Sequence, residues 1–147
     1  MNRRSKSTLF LMEQLVVIVV FAVCAAACAK ILTHSYLISK EAKDLSNALL
    51  AAENGAESYK ATGGNISLTA NLLGGTQHNI DGKETALIYY NNANRVCAEA
   101  DSSYVLRITS SAPDDDVSSF ASAMLEVEKI TGVELISFIV TAREVDR

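Results

Sequence analysis

The sequence predicts an α+β protein: a long N-terminal helix, transmembrane in its first part, packed on a four- or five-stranded antiparallel sheet. Three observations predict it. Residues 9–29, LFLMEQLVVIVVFAVCAAACA, are apolar apart from Glu13 and Gln14. An apolar stripe at helical spacing then runs on to Tyr59. From Thr85 the period of the apolar residues changes to two, and short turns join the segments that carry it. The 147 residues suit one domain, since domains commonly hold about 100–150 residues. Four parts are expected: a basic leader (1–8), a transmembrane helix (9–29), an exported amphipathic continuation (30–61) and an extracytoplasmic head (62–147).

The apolar run of 21 residues is as long as a membrane crossing needs, roughly 20 helical residues. A backbone in lipid must satisfy its own hydrogen bonds, so the crossing form is a helix. Arg3, Arg4 and Lys6 precede it, which predicts a cytoplasmic N-terminus and an exported remainder. Glu13 stands out, because an ionisable group inside a membrane segment is costly and marks function by default. The plain alternative is that Glu13 reaches back to Arg4 or Lys6 at the interface. Ala22, Ala25, Ala26 and Ala29 supply small residues four apart, which let membrane helices approach closely. Cys24 and Cys28 are four apart as well and read as small packing residues.

A short basic leader followed by Thr8-Leu9-Phe10-Leu11-Met12-Glu13-Gln14-Leu15-Val16-Val17-Ile18 resembles the start of a type IV pilin or pseudopilin. The resemblance covers about the first quarter of the chain. It implies a pilin-like fold and assembly with other pilin-like subunits. It also implies that Glu13 pairs with the free N-terminal amine of a neighbour. Aligning Glu13 with the family places prepilin peptidase cleavage between Thr8 and Leu9, with threonine where the family has glycine. Cutting after Ser7 instead leaves Glu13 one position farther along. A secretory signal peptide is the competing reading of this stretch, with Ala27-Cys28-Ala29 as its cleavage-like site. Glu13 and the helix pattern running through Ala29 argue for retention.

Along residues 30–61, Ile38, Ala42, Leu45, Leu49, Ala52, Ala56 and Tyr59 alternate four and three apart. That is one apolar stripe on a helix, expected to lie on the sheet rather than in a coiled coil. Lys40, Glu41, Lys43, Asp44, Glu53, Glu57 and Lys60 are placed on the other faces. Gly55 weakens the helix by about 1 kcal/mol relative to alanine. Thr62-Gly63-Gly64 ends it. Helix 9–61 would then be roughly 80 Å long at 1.5 Å per residue.

Ile66–Leu73 reads as a short helix closed by Gly74-Gly75, with Leu68, Leu72 and Leu73 as a lid on the core. Asn65-Ile66-Ser67 matches a glycosylation acceptor, a weak motif by itself. Strands are expected at 85–90, 96–99, 104–109, 121–127 and 133–142. Their turns are Asn91–Asn94, Asp101–Ser103, Pro113–Asp116 and Thr131-Gly132. Ala121, Ala123, Leu125 and Val127 should face inward, and Ile136, Phe138 and Val140 should meet the helix. Short connections favour an antiparallel meander, which is also the pilin architecture.

From Lys40 onward nine basic residues face sixteen acidic ones, a formal charge of −7. Such a surface repels phosphate backbones, so no nucleic-acid partner is expected. Cys97 is the only cysteine beyond the membrane stretch and is expected to be a buried, monomeric thiol. His34 and His78 lack metal-ligand neighbours in sequence. No phosphate loop, nucleophile elbow or dinucleotide fingerprint is present. Asp114-Asp115-Asp116 reads as a solvated turn, because three consecutive acids converge poorly on one ion. No enzyme activity, cofactor or metal is expected.

The expected function is structural: a minor pilin-like or pseudopilin-like subunit of a bacterial envelope filament or type II secretion-like machine. Its partners would be membrane lipid, other pilin-like subunits and a prepilin peptidase. The runner-up is a single-pass, membrane-anchored extracytoplasmic binding module that does not polymerise. A secreted soluble domain is a third, weaker reading.

Overall fold

The computed structural model describes the backbone of residues 3–111 and 120–143, and within these the side chains from Thr8 onward. The chain forms two compact units, Met1–Ala42 and Lys43–Arg147. Helix α1 runs from Arg3 to Ala61, 59 residues. It starts before Leu9 because nothing in the leader breaks a helix: residues 3–8 hold neither proline nor glycine. It stops where glycine permits. Gly63 and Gly64 take left-handed conformations, φ 63 and 84, and Gly64 N–H donates to the Tyr59 carbonyl at 2.9 Å. That bond spans five residues, as in a Schellman cap.

Helix α2, Ile66–Leu73, follows at once. The Asn65 side chain accepts from Leu68 N–H at 2.9 Å, so this residue is an N-cap. Gly74 closes α2 at φ 71. Five strands then form one antiparallel meander: β1 Thr76–Ile80, β2 Lys83–Tyr90, β3 Tyr104–Ser111, β4 Phe120–Lys129 and β5 Glu134–Arg143. The fold class is the predicted one, with five strands.

The core is built on cross-strand rows. Ile88, Leu106, Val127 and Ile136 form one, and Ala86, Ile108, Leu125 and Phe138 the next. Each fully buried Leu, Ile or Val contributes about 1.5–3 kcal/mol. Against these rows α1 places Ala48, Ala51, Ala52 and Tyr59. The expected inward residues Ala123, Leu125, Val127 and Val140 are buried. Ala121, Ile136 and Phe138 are half-buried against the same cluster.

Several expectations are corrected. The buried line of α1 is Asp44, Ala48, Ala51, Ala52, Gly55 and Tyr59. Leu45 and Leu49 stay 50% and 48% exposed. The docked face is therefore turned by about one residue from the predicted stripe. The reason is close approach: a Cβ at Gly55 would lie 2.8 Å from Leu106 Cδ2. The sheet accepts alanine and glycine, and leucine is turned away. On α2 the buried residues are Ile66, Thr69 and Ala70, whereas Leu68 and Leu72 are exposed. Residues 96–99 do not form a strand; one bridge joins Val96 to Tyr90, and a 3-10 turn follows at Glu99–Asp101. Strand β1 was not expected, and His78 lies on it. The Pro113–Asp116 turn lies outside the described residues.

Candidate functional site

In the first unit every described side chain, Thr8 to Ala42, is exposed. This part of α1 is long and apolar enough to cross a membrane. Its apolar run, residues 9–29, bears one carboxylate, Glu13, and no other described side chain pairs with it. The side chains of Arg4 and Lys6 lie outside the described residues. Spacings of four, three and four put Glu13, Val17, Val20 and Cys24 on one face. Ala22 and Ala26, and likewise Ala25 and Ala29, stack one turn apart on adjoining faces. Cys28 is exposed too. The Thr8–Leu9 and Ser7–Thr8 bonds are both helical. Over residues 9–29 the exposed surface is thus apolar apart from Glu13 and Gln14.

In the second unit the first buried residue of α1 is Asp44, 8% exposed. The Tyr104 hydroxyl donates to Asp44 Oδ1 at 2.7 Å, and Lys129 Nζ donates to Oδ2 at 2.5 Å. This clasp ties α1 to the start of β3 and the end of β4. Burial raises the Tyr104 pKa above 10, and the bond to Asp44 adds to the rise. Asp44 was expected on a face away from the apolar stripe. The signal missed was the small-residue line Ala48, Ala51, Ala52 and Gly55, which shares Asp44's face.

The face of the sheet away from α1 mixes polar and apolar residues and carries the ion pairs of the sheet. Arg107 lies between Glu126 at 3.6 Å and Glu128 at 3.9 Å. A groove of about 430 Å³ beside it is lined by Thr85, Thr109, Ser110 and Lys83, among others. Cys97 is half-buried rather than fully buried, its Sγ 3.8 Å from the Tyr89 carbonyl. His78 Nε2 is 3.0 Å from Thr76 Oγ1, and His34 is exposed on α1. Among the described residues no three His, Cys, Asp or Glu side chains converge on a metal position. No family model matches the chain, and neither a curated protein nor a solved structure is found similar to it.

Proposed function

We propose that this protein is a minor pilin-like or pseudopilin-like subunit of a bacterial envelope filament or type II secretion-like machine. It is held in the membrane by residues 9–29, with a cytoplasmic N-terminus and an extracytoplasmic head. The observation that carries the reading is the apolar helix with a single embedded acid, Glu13, on one continuous α1 that also roofs an antiparallel sheet. A simple anchor has no use for a carboxylate within its apolar run, because an intramembrane charge is retained where a partner meets it. Exposed Leu45, Leu49 and Leu50 add apolar surface on α1 of the head unit, which suits packing against a neighbouring subunit.

In this reading Glu13 is the assembly residue and meets a cation of an adjacent subunit. Ala22, Ala25, Ala26 and Ala29 let the helices approach. Prepilin peptidase cleavage at Thr8–Leu9 would supply an amine for Glu13, and the helix must unwind locally to be cut. Breaking a buried pair costs about 3–5 kcal/mol, so Glu13→Gln should abolish crosslinking to other pilin-like subunits in vivo. Membrane levels and the head fold should stay unchanged. Equal crosslinking in wild type and Glu13→Gln would reject the assembly role and favour the anchored, non-polymerising binding module.

A further inference from the structure

Among the described residues β1 and β5 each have one side unpaired, and these edges differ from the edges of most soluble proteins. Natural edges are commonly blunted by lysine, proline or inward charge. Strand β1 holds no charged residue and no proline between Thr76 and Ile80. Strand β5 holds none between Glu134 and Arg143, a run of eight residues, LISFIVTA. An unpaired edge of that length is a template for another strand.

Topology selects the partner. The meander has an odd number of strands, each antiparallel to the last. Strands β1 and β5 therefore run in the same direction. Pairing β5 with a second β5 about a two-fold axis would reverse one copy against the other, so the docked segments 43–61 would run oppositely. Pairing β5 with β1 of the next copy keeps the docked segments 43–61 of all copies parallel, as one repeating contact along a filament requires. Such a head-to-tail contact leaves one edge free at each end and extends as an open array wherever the rotation between copies does not close a ring.

The side chains fit the same pairing. His78, Thr85, Thr109, Met124 and Ile139 form one cross-strand row on the face away from α1. Ile139, 66% exposed, is the large apolar residue of that face on β5, and Ile80, 43% exposed, is its counterpart on β1. Ile80 lies two residues beyond His78 on the same face. A slip of no more than two residues brings Ile80 of one copy beside Ile139 of the next.

We infer that the heads of successive copies join edge to edge, β5 of one pairing in parallel with β1 of the next, and that Ile139 and Ile80 bury each other. This rests on the subunit reading above and adds the contact between heads. The test uses the full chain in membranes, with Cys24→Ala, Cys28→Ala and Cys97→Ser as background. Ile80→Cys and Ile139→Cys are added singly and together, and a bismaleimide with a spacer of about 8 Å is applied. Within one chain the two positions are four strand spacings apart, roughly 19 Å, so the reagent links only separate copies.

The double variant should give a ladder of multimers, at least tenfold more abundant than any product of either single variant. Mixing the two single variants should give a species of two copies and nothing larger. A dimer from Ile139→Cys alone would overturn the proposal in favour of a two-fold contact. Absence of products in every variant would overturn it as well. Co-purification of two differently tagged copies reads helix-mediated assembly separately. Copies that co-purify without the ladder reject the head contact alone, and copies that do not co-purify reject the subunit reading too.

Discussion

Gly55 faces Leu106 so closely that a single methyl group between them would sit 2.8 Å from Leu106 Cδ2 and 3.3 Å from Leu125 Cδ2. Both leucines are fully buried, so neither can swing out to solvent. Alanine gains about 1 kcal/mol in helix propensity, while overpacking a filled core costs about 1–3 kcal/mol. Gly55→Ala should therefore destabilise the head by about 1 kcal/mol, and Gly55→Val by more than about 3 kcal/mol. Thermal unfolding of the two variants checks this. A Tm raised by Gly55→Ala would mean that α1 and the sheet are not in such close contact.

The clasp at Asp44 should behave as a coupled unit. Asp44→Ala leaves the buried Tyr104 hydroxyl without its acceptor, and an unsatisfied buried group costs about 1–3 kcal/mol. Lys129 keeps access to water, with 28% of its side chain exposed, so its release adds little. Tyr104→Phe alone should cost about 1 kcal/mol. The double variant should cost less than the two singles together, by about 1 kcal/mol, because both remove the same bond. Chemical denaturation of the four proteins gives the coupling, and strict additivity would reject the contact.

Alkaline pH should loosen the head. Burial pushes the phenols of Tyr59, Tyr90 and Tyr104 above 10. A folded pKa raised above the unfolded value gives stability that is complete below pH 10 and is lost as pH rises through the folded pKa. Unfolding free energy should thus hold steady between pH 7 and 9 as far as these tyrosines are concerned. It should fall above about pH 10. Phenolate absorbance near 295 nm, followed against circular dichroism, checks the order of events. Full ionisation of all five tyrosines near pH 10 with the fold intact would contradict it.

Much of this architecture was readable because periodicity reports burial directly. Ala123, Leu125 and Val127 alternate with Met124 and Glu126, and the sheet places them accordingly. The end of the short helix was marked by Gly74-Gly75 through backbone chemistry that needs no tertiary context, while the N-cap role of Asn65 emerged only in the structure. What failed did so for physical reasons. The stripe on α1 was traced through its large residues, but contact with a flat sheet favours the small ones, so Leu45 and Leu49 pointed to the wrong face. Strand β1 was hidden by Gln77, His78 and Asn79, since an edge strand with all five residues exposed shows no alternation. Its one signal was Asp81-Gly82, both at positive φ, 52 and 78, a two-residue hairpin turn spelled out in the sequence. Of the candidate site, Glu13 stood out because a charge in an apolar run is conspicuous. Asp44 did not, because its partners Tyr104 and Lys129 are 60 and 85 residues away.

The strictly consecutive order of the five strands has a consequence for biogenesis. Each strand pairs with the one made just before it, so a chain emerging N-terminus first meets every partner already in place. No strand waits exposed for a distant mate, and the loops that must close are short, which keeps the entropic barrier low. The roof, the residues of α1 from Lys43 on, precedes all of them. The sheet can thus be laid down strand by strand against a helix already formed, and β5, the last of the five to arrive, leaves its outer side unpaired among the described residues, as β1 does at the other edge.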